Sequence, residues 1–132
     1  MIVIDASVLV DLLLDRRGNN RTGRVLDAVA GRPIAAPHLI DAEVAHALRC
    51  AVLRGVLPST TGNAALVDLG LLKLRRYPHT ALLPRAFTLR DNATIYDALY
   101  LALAEVLGIC LLTRDRALAR VPGVNAQVEL VG

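Results

Sequence analysis

Acidic residues recur at one kind of place in this 132-residue chain: just after a short apolar run, or at the start of a helical pattern. Asp5 follows Ile2-Val3-Ile4, and Asp115, with Thr113 just before it, follows the apolar run over 109–112. Glu43 and Asp97 lie in the first turns of the two clearest helical patterns. Four carboxylates gathered at one place repel each other and raise each other's pKa unless a cation sits among them. Mg²⁺ or Mn²⁺ takes such oxygen ligands and keeps several waters. A carboxylate-held metal pair activates water and stabilises the leaving oxygen of a phosphodiester. Ser7 and Thr113 would then hold a metal-bound water or a phosphate oxygen, and Arg114 and Arg116 flank Asp115 within reach of phosphate.

Each of these residues also has a plainer reading. Asp5 and Asp115 suit helix N-caps. Glu43 suits the first turn of a helix, where the dipole favours negative charge, and Asp41 competes with it as a cap. Asp97 stands three residues after Thr94, the spacing of a capping box. Ser7 and Thr113 are small polar residues near helix starts, and the arginines belong by default to solvated faces, as does the stretch Arg16, Arg17, Arg21 and Arg24. The joint pattern of strand, acid and helix separates the two readings.

The elements that would position these side chains can be read from periodicity. Residues 2–4 form a β-branched run buried on both faces, as in a parallel sheet. Further strands are expected at 33–36, 74–77, 109–112 and 128–131. Helices are expected at 7–14, at 21–30 after a polar loop over 16–20, and at 59–73 and 80–89, with Pro84 in the first turn of the last or kinking it. Ser59 and Thr60 supply N-cap chemistry after Pro58. Val44, Ala47, Leu48, Ala51 and Val52 make one apolar stripe that stops at Gly55. A helix over 94–107 is capped by Thr94 and ended by Gly108. One or two helical turns follow Asp115. Alternating strands and helices imply an α/β fold of three layers, with a central parallel sheet of four to five strands flanked by helices. Open sheets of this kind bind ligands outside the carboxyl ends of their strands, where Asp5, Thr113, Asp115 and Glu43 belong. Asp97 joins them only if its helix starts on that edge.

Composition sets the outer bounds. A chain of 132 residues with 55% hydrophobic and 20% charged residues is a single folded domain, not a disordered segment. Aromatic residues are 3% of the chain, which disfavours nucleic-acid modules built on aromatic platforms. The net charge of +3 permits a polyanionic partner without requiring one. Cys50 and Cys110 lie apart in apolar stretches, as reduced thiols of a cytoplasmic protein would. The start of the chain lacks the basic region of a signal peptide, and no apolar run is long enough to span a bilayer. His38, His46 and His79 fit no metal spacing, and no serine has a triad partner. The high apolar content suits a homodimer that buries a self-complementary patch.

Four segments together resemble the PIN-domain family, especially its VapC-type toxins. The opening Ile2-Val3-Ile4-Asp5-Ala6-Ser7-Val8-Leu9 is similar to the family's first motif, and residues 37–45, around Glu43, to its second. Tyr96-Asp97-Ala98-Leu99-Tyr100 resembles the third, and Leu111-Leu112-Thr113-Arg114-Asp115 the fourth. The resemblance implies a PIN-like domain over 1–132 and a ribonuclease that uses Mg²⁺ or Mn²⁺. Its site acids would be Asp5, Glu43, Asp97 and Asp115, supported by Ser7 and Thr113. The resemblance also implies RNA as substrate, homodimerisation, and inhibition by a VapB-type antitoxin. Ala117 and Leu118 stand where some members carry a further acid, which points to a weakly held second metal. Three other readings compete. In an aspartate-nucleophile phosphatase Asp5 would attack, but Ser7 replaces the expected second Asp. A signalling receiver needs a late lysine, and Lys73, the sole lysine, is mid-chain. A catalytically silent metal-binding α/β domain would keep the acids without turnover.

Overall fold

The structure is a computed structural model that describes residues 1–15 and 25–132, together with the backbone but not the side chain of Arg24. The expected loop over 16–20, the start of the second helix at Arg21 and the side chains of the first arginine stretch lie outside the described residues.

A strand with neighbours on both sides and helices on both faces must be apolar throughout. β1 (Ile2–Ile4) meets that requirement with three side chains wholly removed from solvent. It pairs in parallel with β2 (Ile34–Pro37) on one side and β4 (Leu111–Thr113) on the other. The sheet is completed by β3 (Leu74–Tyr77) beside β2 and β5 (Val128–Leu130) beside β4, giving the order β3-β2-β1-β4-β5, all parallel. The chain winds outward from β1 through β2 to β3, then returns to place β4 on β1's other side. β1 and β4 therefore flank the topological switch point, where open α/β sheets form their ligand crevice. The expected strands at 33–36 and 109–112 shift forward. Pro37 and Thr113 are in the ladder, paired with Tyr77 and Leu130.

Two helices follow their strands directly and so begin on the carboxyl edge: α1 (Ala6–Asp15) after β1, and α3 (Ile40–Leu53) after β2. α2 (Arg24–Val29) lies between them in the chain. Only part of α3's apolar stripe is buried. Val44 and Leu48 are inside, Ala51 and Val52 are half-buried, and Ala47 is exposed. Gly55, with φ +74°, lets the chain turn out of α3 in the left-handed region. Asp41 does not cap α3. It forms a two-pronged ion pair with Arg76 of β3, at 2.7 and 2.9 Å, and so ties the start of α3 to the sheet.

α4 (Ser59–Leu71) begins without the cap expected from Ser59 or Thr60, because Pro58 occupies the cap position and no side chain accepts a bond there. Gly62 is what lets α4 approach α3: a Cβ there would stand 3.2 Å from a Val52 methyl. α4 buries Ala65 and Leu69 but leaves Val67 and Leu71 in solvent.

A short 3₁₀ turn (Thr80–Leu82) leads into α5 (Leu83–Thr88), with Pro84 in its first turn, and the return segment brings in α6 (Ile95–Leu107). α6 is apolar on nearly all sides and buries every residue from Ala98 to Ala104 against β1, β2, β4 and α5. Its ends follow the expected chemistry. Thr94 Oγ1 accepts from the Asp97 amide at 3.1 Å, and Gly108 closes the helix at φ +65°. Arg85 of α5 holds Glu105 of α6 with bonds of 2.8 and 2.9 Å, which fixes how the two helices pack. Among the described residues, no helix is long and apolar enough to cross a membrane.

Candidate active site

Asp5 sits at the switch point with 6% of its surface exposed. A carboxylate so placed needs donors on both oxygens, and the sequence supplies them locally. Ser7 Oγ donates to Oδ1 at 2.6 Å and the Val8 amide donates to the same oxygen at 3.1 Å. Thr113 Oγ1, from the end of β4, donates to Oδ2 at 2.5 Å. The direction of both hydroxyl protons is set by what the hydroxyls accept. Ser7 Oγ takes the Arg114 amide at 3.1 Å, and Thr113 Oγ1 takes the Asp115 amide at 3.0 Å. Two strand ends and one loop thus converge on one carboxylate. Asp5 is both the cap of α1 and the centre of the crevice, so its two readings are compatible. In this geometry Ser7 and Thr113 serve Asp5.

The other three acids surround it. Glu43 projects from the first turn of α3, half-buried, and accepts a 2.6 Å bond from the buried phenol of Tyr100. Asp97 projects from the first turn of α6. Asp115 stands in the turn after β4, where its Oδ1 accepts from the amides of Ala117 and Leu118 at 2.8 and 3.4 Å, as its capping role requires. Proximity shows in the electrostatics. The Asp5 carboxyl is raised above the usual aspartate value by burial first; the donors from Ser7, Thr113 and Val8 oppose this, and Asp115 adds to it. Asp97 is raised by burial, then by Asp115 and Asp5. Glu43 is raised by burial and by Asp97 and Asp5, against the pull of Tyr100. The α6 start, which sequence alone left undetermined, therefore reaches the carboxyl edge.

As placed, no three His, Cys, Asp or Glu side chains among the described residues form a group tight enough to enclose a metal. The donor set is nevertheless all oxygen, and three of its members are raised by burial and by neighbouring acids. That chemistry suits a hard divalent cation that retains water and takes only one or two carboxylates directly.

Beside the acids lies an open groove of about 800 Å³ between α1 and α3, lined by residues including Ser7, Glu43, His46, Tyr96 and Arg114. Tyr96 is 63% exposed, so a chain poor in aromatics still presents one ring next to Asp97. Arg114 reaches inward and forms an ion pair with Asp11, whose side chain is only 3% exposed. Arg116 is exposed. Asp11 and Tyr100 are the contributors that sequence reasoning missed. Asp11 carried no role in the sequence reading, and Tyr100 entered it only within the third family-like motif. The one available signal was spacing: Asp11 follows Ser7 by one helical turn, and Tyr100 follows Asp97 at a similar interval.

The PIN-domain family model matches residues 2–124. Ribonuclease VapC1 of Mycobacterium tuberculosis is 44% identical over 131 residues, spanning 98% of this chain and 96% of that protein. Ribonuclease VapC12 of the same organism is 40% identical over 131 residues, spanning 99% of each. Among solved structures, VapBC2 from Rickettsia felis, bound to a DNA fragment from its promoter, superposes with a TM-score of 0.69 at 17% identity, spanning 100% of both chains.

Proposed function

Because this chain belongs to the PIN-domain family, we propose that it is a divalent-metal-dependent endoribonuclease, the toxin of a toxin–antitoxin pair. What supports this reading is the placement of Asp5, Glu43, Asp97 and Asp115 along the sheet's carboxyl edge, where burial and neighbouring carboxylates raise the carboxyls of Asp5, Glu43 and Asp97. The names of its relatives, ribonucleases VapC1 and VapC12, support RNA as the substrate.

Asp5, Glu43, Asp97 and Asp115 would hold Mg²⁺ or Mn²⁺. When bound, the cation supplies Lewis acidity toward water and phosphate oxygen. The chain's own residues do the rest. Ser7 and Thr113 hold Asp5 in one orientation through hydroxyls whose protons are directed at it. Tyr100 holds Glu43. The groove admits the strand, with Tyr96 offering a ring face to a base and Arg114 a charge to phosphate, while the exposed Arg116 adds a charge next to Asp115. Asp5 Oδ1 accepts two hydrogen bonds and Oδ2 one, which leaves Oδ2 a lone pair for a cation, and Ser7 in place of a second Asp disfavours the phosphatase reading.

The test is cleavage of end-labelled RNA with Mn²⁺, with Mg²⁺ and in excess EDTA. Cleavage is expected only with metal, leaving 5′-phosphate and 3′-hydroxyl ends, since water attacks and the ribose 2′-hydroxyl takes no part. Full activity in EDTA, or 2′,3′-cyclic phosphate ends, overturns the mechanism. Binding of Mn²⁺ without any cleavage supports the catalytically silent domain.

The partners follow from the same site. A VapB-type antitoxin would restrain the enzyme by placing an arginine among the four acids, where it gains charge-assisted bonds. The exposed apolar side chains Leu53, Val56, Val67 and Leu71 offer surface for that partner or for a second copy in a homodimer. Co-expression with the adjacent reading frame is expected to yield an inactive complex that regains cleavage when the partner's arginines become alanine. Light scattering of the free chain is expected to give twice the monomer mass, and a monomer at micromolar concentration removes the dimer.

A further inference from the structure

The bond between Tyr100 and Glu43 links residues 57 apart in the chain and joins the two helices that carry site acids. α6 presents Asp97 and Tyr100 three residues apart, on one face. One helix therefore supplies a carboxylate of its own and the donor that holds the carboxylate of α3. Tyr100 is 1% exposed, so its ring is fixed by packing and its phenol is aimed without freedom of its own. Glu43 is the opposite case. Its side chain turns about three bonds, starts on the first turn of a helix, and faces the like charges of Asp5 and Asp97. Left alone, a glutamate in that field swings toward water. A buried tyrosine hydroxyl needs an acceptor, and a neighbouring backbone carbonyl would satisfy it. Here the acceptor is Glu43 Oε1 at 2.6 Å, which leaves Oε2 for the crevice.

We propose that Tyr100 is a positioning residue: its phenol pins Glu43 toward Asp5 and Asp97 and sets the spacing between the acids of α3 and α6. This deepens the ribonuclease reading and rests on it for its catalytic consequence, although the pinning itself does not. Phenylalanine at this place keeps the ring and removes only the donor. Outer residues that orient metal-binding side chains typically contribute about 10–100-fold to metal affinity or activity.

The experiment uses the full chain with Tyr100→Phe, Glu43→Gln and the double substitution. Mn²⁺ alone is the binding probe, with free ion read by electron paramagnetic resonance. Tyr100→Phe is expected to bind Mn²⁺ about tenfold more weakly and to cleave RNA about 10–100-fold more slowly. The double variant is expected to be no worse than Glu43→Gln, because the phenol acts through Glu43. High-resolution structures of the metal-free proteins are expected to show Glu43 in one rotamer in the wild type and spread or displaced in Tyr100→Phe. If Tyr100→Phe does not fold, the single substitution Glu43→Gln still reports on the pinning. Its amide oxygen can accept from the phenol, so the side chain at position 43 is expected to keep the wild-type rotamer, and a spread rotamer there overturns the proposal. In Tyr100→Phe, an unchanged side chain at position 43 or unaltered Mn²⁺ affinity would overturn it, as would additive losses in the double variant. If the wild-type rotamer is fixed and the Tyr100→Phe rotamer is not, but no RNA is cut by either, the pinning stands and the ribonuclease reading fails.

Discussion

Asp97→Asn is expected to abolish RNA cleavage and, in the same step, to stabilise the metal-free fold near neutral pH. The two effects share one cause. Asp97 is raised above the usual aspartate value by burial, then by Asp115 and Asp5, so the folded chain holds that proton more tightly than the unfolded chain does. A carboxyl with a raised folded pKa favours folding at low pH. That contribution is lost as pH rises from the unfolded value near 4 through the raised folded value. Asp5 and Glu43 shift the same way and add to the slope. At neutral pH the metal-free site therefore carries crowded charges that oppose folding. Asparagine keeps the shape, removes one charge and relieves the two neighbours. It also removes an oxygen ligand, and the loss of cleavage should be about 10³-fold or more, the scale for removing a preorganised charge partner of the transition state. Thermal melts in EDTA from about pH 4 upward to mildly alkaline pH check the first part. Wild-type stability should fall as pH rises, and the variant should fall less and end higher. Mn²⁺ should raise the wild-type melting point more at the alkaline end, because metal displaces protons from its ligands. A variant less stable than wild type at every pH would show that Asp97 holds the fold together by contacts rather than straining it by charge.

The parts of this site that could be read in the sequence are those whose position follows from local chemistry. Ile2-Val3-Ile4 could only be a central strand, so Asp5 had to emerge at a sheet edge. Glu43 lies one turn into a helix that follows a strand, which fixes its edge as well. Asp97 needed more. Its helix does not follow a strand directly, and its placement depends on the short α5 and the Arg85–Glu105 pair that turn the chain back. Tyr100 and Asp11 were invisible for a different reason. A buried aromatic and a lone acid in an apolar run take their meaning from partners at distant positions, Glu43 and Arg114, that no periodicity reveals. Asp41 shows the converse. Local rules offered it as a cap, but a bidentate arginine on β3 was the stronger partner. The missing cap on α4 follows the same logic, since packing of Gly62, Ala65 and Leu69 decides where that helix lies.

Arg114→Ala should lower both stability and RNA affinity, whereas Arg116→Ala should lower affinity alone. Arg114 lies between two strongly polar neighbours. Its backbone amide donates to Ser7 Oγ, which survives the substitution, and its guanidinium pairs with Asp11 on α1. Truncating the side chain takes a cation away from a carboxylate that is 3% exposed. Removing one partner of a buried pair typically costs about 3–5 kcal/mol. Here the cost should be at most the lower end, about 3 kcal/mol, because the Arg114 side chain is 32% exposed and partly screened and Asp11 keeps other interactions. For a chain of this size that is a fall in melting temperature on the order of 10 °C. Replacing both members, Asp11→Leu with Arg114→Leu, removes the buried carboxylate as well as its arginine and should return much of the stability, since apolar substitutes for buried pairs are often neutral. RNA affinity should not return with it. Arg114 lines the groove, and no apolar side chain replaces a cation beside phosphate. Arg116 is exposed, so its loss should leave the melting temperature unchanged and reduce the salt dependence of RNA binding by about one phosphate contact. Calorimetric melts and salt-titrated binding to a catalytically inactive Asp97→Asn background separate these outcomes. If Arg114→Ala melts with the wild type, the Asp11 pair contributes nothing to the fold. If the double leucine variant binds RNA as tightly as the wild type, Arg114 acts on the loop that carries Thr113 and Asp115 rather than on the substrate.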